Sequence, residues 1–230
     1  MLTSNSLSIN RSRLLQTLEA SSGIGATKNG GLNRLALSEE DKEMRDLFKK
    51  WMENEGLSVR VDDFGNMYGR REGINSDEPA VLVGSHLDSQ PNGGRFDGIL
   101  GVLLALEAVR VLNENNIQTK RPIEIVNFTN EEGARFEIPM LGSAGIANIF
   151  SKEFLYAVKD KDGKAFGEEL KNIGYVGEEQ NRAKHVHRYV ELHIEQGPIL
   201  ENHQTSIGAV TGIQGMTWLE VKVSGNSAHA

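Results

Sequence analysis

Three ionisable residues follow one another closely in VLVGSHLDSQPNGGRFDGILG, residues 81–101: His86, Asp88 and Asp97. A second group, Glu131 and Glu132, comes just after PIEIVNFT, and His193 sits in YVELHIE. Together they form a ligand set of imidazoles and carboxylates without sulfur, since the chain has no cysteine. Such sets suit zinc, manganese, cobalt or nickel. One carboxylate can bridge two such ions about 3.5–4 Å apart, and a pair of that kind activates water for hydrolysis. The His-x-Asp spacing has a physical reading. His86 ligates through one ring nitrogen while a nearby carboxylate, that of Asp88, orients the ring. Adjacent Glu131 and Glu132 point apart on an extended backbone, so one can ligate while the other faces the substrate as general base. Singly, each signal has an ordinary explanation: a Glu-Glu pair opens many solvated loops, and one strand histidine is usually a satisfied core residue. Jointly, three apolar strands that each end in ligand-type residues are poorly explained that way. Gly93, Gly94 and Gly98 flank Asp97 and imply backbone held close to something. His185, His187 and His203 lie in polar stretches and read as surface.

The elements that must position these residues follow from hydrophobic periodicity. Residues 6–20 form a weak helix through Leu7, Leu14, Leu15 and Leu18, and residues 21–37, rich in Gly and Asn, read as a loop. Ser38 followed by Glu39, Glu40 and Asp41 is a helix start, with acids in the first turn. Met44, Leu47, Phe48, Trp51 and Met52 continue that helix to Gly56. Short strands are expected at 57–61 and 66–71, an apolar strand at 80–84, a buried helix at 99–112, and strands at 122–129 and 189–195. Strands alternating with helices imply an α/β domain, whose ligand crevice lies beyond the carboxyl ends of the strands. After about Ser206 the texture changes, with strands expected at 207–211 and 217–223 as the start of a second domain.

Bulk properties narrow the function. The formal net charge of −7 argues against a nucleic-acid partner. No apolar run approaches the ~18 residues of a membrane span. The N-terminal stretch lacks the apolar core of a signal peptide. With the missing cysteines, this fits a cytoplasmic protein.

GSHLDSQPNGGRFDGILG, NFTNEEGARF, MLGS, ELHIEQGP and GNSAHA, in that order, resemble the N-carbamoyl-L-amino acid hydrolase branch of the M20 metallopeptidase family. That branch also includes allantoate amidohydrolases. The resemblance runs from roughly residue 20 to the end. It implies a zinc-exopeptidase-like catalytic domain, a mixed sheet flanked by helices, over residues 1–208. The start of an inserted α+β lid and dimerisation domain is expected over 209–230. It implies two divalent metal ions. His86 and His193 are then ligands of one ion, Asp97 the bridging carboxylate and Glu132 a ligand of the second. Glu131 is the general base and Asp88 the partner of His86. Gln196 contacts substrate, and His229 of the lid polarises the scissile carbonyl of substrate bound in the other subunit of a homodimer. Peptidases of the wider family tend to carry a carboxylate where His193 stands.

The implied activity is hydrolysis of the carbamoyl C–N bond of a small ureide, an N-carbamoyl-L-amino acid, to amino acid, ammonia and carbon dioxide. Allantoate hydrolysis and aminopeptidase or dipeptidase action are the alternatives. The family uses a fifth ligand, a histidine near the end of a chain close to twice this length, and this sequence does not contain it. The expectation is therefore an N-terminal portion of such an enzyme, and a fragment without activity is the remaining alternative.

Overall fold

A computed structural model describes residues 7–225, apart from 216, 218 and 220. The chain divides into two compact units, residues 1–194 and 195–230.

In the first unit, helix α1 (Arg11–Gly23) starts on Asn10, whose side chain accepts from the Arg13 N–H. It runs past the expected end at residue 20. Ser21 and Ser22 read as loop residues, yet Ser21 is fully buried. Tertiary burial here outweighs weak helix propensity. Helix α2 (Glu39–Asn54) begins at Ser38, whose hydroxyl accepts from the Asp41 N–H, and carries the three expected acids in its first turn. Met44, Phe48 and Met52 recur every four residues and are completely buried. At about 1.5–3 kcal/mol for each such side chain, this stripe anchors the helix.

Strands β1 (Ser58–Val61), β2 (Met67–Arg71), β3 (Val81–His86), β4 (Ile123–Phe128) and β5 (Arg188–Val190) form one sheet in the order β1-β2-β4-β3-β5. β1 and β2, and β2 and β4, run antiparallel, whereas β3 is parallel to both β4 and β5. The fold is thus a mixed α/β sheet flanked by helices. Alternation sends Met67, Val83 and Ile125 into the main core, with α1, α2 and helix α3 (Ile99–Glu114). Tyr68, Leu82 and Val126 face the other way and form a smaller cluster. α3 is apolar nearly all round, as expected. Of its two buried charged residues, Glu107 and Arg110, Glu107 is paired with Arg13 of α1, at 2.7 Å. Short helices α4 (Leu141–Ile146), α5 (Lys152–Ala157) and α6 (Phe166–Asn172) follow β4.

Two expected strands are corrected. The strand at 189–195 closes at Val190, and residues 191–194 are irregular. Residues 207–211 form no strand, because among the described residues nothing pairs with them, and a lone strand leaves its backbone groups unpaired. Of 217–223, the described residues carry no strand, and 218 and 220 lie outside the described set. Within the second unit, the Glu195 carboxylate accepts from the Ile199 and Leu200 N–H groups and caps a single helical turn, Ile199–Asn202. Among the described residues no helix is long and apolar enough to cross a membrane.

Candidate metal centre

β3 and its parallel neighbours end at one edge of the sheet, and the ligand-type residues gather there. β3 pairs with β4 in register up to His86↔Phe128, so Asp88 and the segment carrying Glu131 leave the sheet side by side. On the other flank the last pair is Val83↔Val190. The same offset carried forward sets His193 opposite His86. The two rings lie 6.0 Å apart and 29° from parallel. Asp97 closes the loop after β3, and α3 starts two residues later. His86, Asp97 and His193 each offer one ligand atom, and these atoms lie within 4.8 Å of one another.

Both imidazoles are oriented by backbone carbonyls. His86 Nδ1 is 2.9 Å from the Asp88 carbonyl, which leaves Nε2 as the ligand atom, 3.4 Å from Glu131 Oε2. His193 Nδ1 is 2.9 Å from the Ile194 carbonyl, and its Nε2 lies 3.2 Å from Asp97 Oδ1. Asp88 therefore touches the His86 ring through its main chain. Its carboxylate stands 3.8 Å from Nδ1 and accepts instead from the N–H groups of Glu131, at 3.2 Å, and Glu132, at 3.3 Å. Those two glutamates stand on a turn and not on extended backbone, because Asn130 adopts φ +52° and its side chain bonds Phe136 and Ile138. The expectation that pleating splays them is corrected: the turn does so.

Electrostatics follow from this geometry. Burial resists charge on His86, but the carboxylates of Asp88 and Glu131 outweigh it and raise its pKa. The hydrogen bond to Asp97 pushes His193 up to about 9. That proton must leave before His193 can act as a ligand. Burial pushes the carboxyls of Asp88 and Glu131 up, against the pull of His86.

A divalent ion fits these residues. The donor set is imidazole and carboxylate. Glu132 Oε1 is buried with no hydrogen-bond partner among the described residues, an acceptor that a cation could satisfy. Position 98 has φ +65°, and a Cβ there would stand 2.3 Å from the His86 ring, so glycine is what lets the imidazole edge reach the cluster. Glu132 is not among the three clustered ligands; its Oε2 accepts from Gln90 Nε2 at 3.0 Å. Gln196 is exposed in the second unit, and His229 lies outside the described residues.

Sequence reasoning missed several supports. The loop over 24–37 backs the loop after β3. Leu32 and Gly93 exchange two 2.9 Å backbone bonds. Buried Arg34 reaches the carbonyls of Leu87, Ser21 and Ile24, and its N–H donates to Ser89 Oγ. An arginine in a Gly- and Asn-rich stretch reads as solvated, and no local signal marks it otherwise.

The sequence and fold also have known relatives. The model of peptidase family M20/M25/M40 matches residues 82–229. An N-carbamoyl-L-amino-acid amidohydrolase of Rhizobium meliloti is 50% identical over 221 residues, 96% of this chain and 53% of the relative. Allantoate deiminase 1 of Glycine max is 41% identical over 210 residues, 88% of this chain and 43% of the relative. A hydantoinase/carbamoylase family amidase of Burkholderia ambifaria has a solved structure. It superposes with a TM-score of 0.83 at 47% identity, covering 86% of this chain and 48% of that one. The chain spans about half the length of the curated relatives it matches. With a ligand cluster at the strand ends and a family model matched from β3 onward, the chain belongs to peptidase family M20/M25/M40.

Proposed function

We propose that this chain carries the metal-binding part of a hydrolase that cleaves the ureido C–N bond of N-carbamoyl-L-amino acids, releasing amino acid, ammonia and carbon dioxide. The observation that carries the reading is the convergence of His86, Asp97 and His193 with Glu131 Oε2 poised 3.4 Å from His86 Nε2. The kinship to an N-carbamoyl-L-amino-acid amidohydrolase supports the substrate class. Divalent ions, two in number and of zinc, manganese, cobalt or nickel, are the cofactors of this reading, and His86, Asp97, His193 and Glu132 are the residues that would hold them. Such ions, when bound, would supply water activation and carbonyl polarisation.

The side chains divide the remaining work. Glu131 takes a proton from the attacking water and returns it to the leaving nitrogen. Burial raises its pKa, the direction that favours holding and releasing a proton. Asp88 fixes the turn that carries Glu131 and, through its carbonyl, the His86 ring. Gln196 and His229 contact substrate. The same reading carries a homodimer and a cytoplasmic location, drawn from the family resemblance and the cysteine-free composition.

Kinship to an allantoate deiminase favours allantoate as the second reading. Ammonia release from N-carbamoyl-L-methionine and from allantoate, by protein loaded in turn with zinc, manganese and cobalt, separates the two. Faster release from the carbamoyl amino acid is expected. Turnover of allantoate alone replaces the first reading with the second, and cleavage of a dipeptide in place of either overturns both.

A further inference from the structure

His193 must hold its Nε2 in the cluster, yet the strand that carries it stops early. The β3–β5 ladder ends at Val83↔Val190, and residues 191–194 are irregular. What secures this segment is a side chain. Glu191 Oε1 accepts the hydroxyl of Ser85, the residue before His86, and Oε2 accepts the Tyr189 hydroxyl at 2.9 Å. Tyr189 also reaches the Gly84 carbonyl at 3.2 Å. Beside these contacts, the Leu192 carbonyl fills the space a side chain at position 101 would take. A Cβ on Gly101 would meet that oxygen at 2.5 Å and Ser85 Cβ at 3.1 Å. Ser85 is buried and its β3 backbone is fixed by pairing with β4, so it offers a rigid anchor. Glu191 itself is not among the clustered ligands.

We infer that the Glu191 carboxylate is the positioning group of His193, pinning the ligand-bearing segment to β3 through Ser85 where the backbone ladder no longer does. The inference rests on the metal-site reading and not on the identity of the substrate. Glu191 touches no reacting atom. It acts by keeping His193 Nε2 within reach of Asp97 and His86.

The test is cobalt and zinc affinity of the 230-residue chain, by competition with a chromophoric chelator, beside thermal unfolding of the metal-free protein. Glu191→Ala is expected to weaken metal binding about 10–100-fold, the usual effect of removing a ligand's support. Ser85→Ala is expected to shift affinity the same way, and the double variant to bind no more weakly than Glu191→Ala alone. Glu191→Gln keeps an oxygen for Ser85 and is expected to restore most of the affinity. The melting temperature of the metal-free Ser85→Ala protein should stay near wild type. Wild-type affinity in Glu191→Ala and Ser85→Ala overturns the inference, as does a lowered melting temperature with affinity unchanged, which describes a scaffold contact. A wild-type chain that takes up neither metal overturns the inference and the metal-site reading together. Because affinity is the readout, a wrong substrate assignment leaves the inference standing.

Discussion

Each ligand at this site depends on one or two neighbours that give it a direction. His86 and His193 both spend Nδ1 on a backbone carbonyl, which frees Nε2 for the cluster. Glu131 stands outside the clustered ligands, so a change there should separate chemistry from binding. Glu131→Gln is expected to lower ureide turnover by about 10²–10⁴-fold while metal per chain, by elemental mass spectrometry, stays at the wild-type value. Parallel loss of both would make Glu131 a ligand. Gly98 is expected to tolerate nothing larger. Its φ of +65° is costly for other residues, and a Cβ would stand 2.3 Å from the His86 ring. Gly98→Ala should therefore cost about 1–3 kcal/mol in urea unfolding and weaken metal uptake as well. A variant that binds metal like wild type would show that the ring has room to move.

Among the elements, two loops behave as one. The loop over 24–37 and the loop after β3 are joined by the Leu32–Gly93 bonds and by Arg34, whose guanidinium is buried and satisfied by main-chain oxygens. Removing that guanidinium orphans acceptors inside the protein, which costs more than the bonds themselves contribute. Arg34→Met is expected to destabilise by about 2–4 kcal/mol and to open both loops to limited proteolysis, with early cuts in 24–37 and 89–97. Cleavage in one loop alone would show that they are not coupled. The helices follow a plainer logic. Ser38 and the acids after it were readable as a helix start because a cap is a local device, completed within three residues. Residues 21–23 were not readable as helix, because what supports that last turn is the burial of Ser21, a tertiary effect.

Across the whole molecule, several carboxylates are held ionised by arginines brought from far along the chain. Burial alone would raise Glu107, but the Arg13 guanidinium and the Asn10 N–H outweigh it and hold the carboxyl below its usual 4.5. Asp63, beside Arg182 and Lys152, is likewise held below 3.8 despite its burial. A carboxyl lowered on folding contributes stability that is fully present above its unfolded pKa and is lost as pH falls through the folded value. Stability to urea should therefore be flat from about pH 5 to 7 with respect to these groups and fall below about pH 4.5. Arg13→Met should cost about 1–3 kcal/mol at neutral pH and flatten that fall. An unchanged acid limb would remove Glu107 from the account. Metal should act on the same scale: at a hundredfold excess over its Kd, a bound ion is expected to add about 2.7 kcal/mol to unfolding. Thermal unfolding with and without cobalt checks this, and no shift would mean that the ion does not favour the folded chain.

The sequence by itself determined the ligand types, the absence of sulfur among them, and their place at the ends of apolar strands. Those properties are local: an apolar run such as Ala80–Gly84 followed by Gly, Asn and Pro reads as a strand end wherever it falls in the fold. Motif order also determined the family. Tertiary structure alone decided which strands became neighbours and in what register. It thereby set His193 against His86 and Asp97 while leaving Glu132 to Gln90. It decided as well that Asp88 serves the His86 ring through its carbonyl and the glutamate turn through its carboxylate. Pairings between residues a hundred positions apart depend on how whole sheet faces bury and on where a ladder stops, and no short window of sequence contains that information.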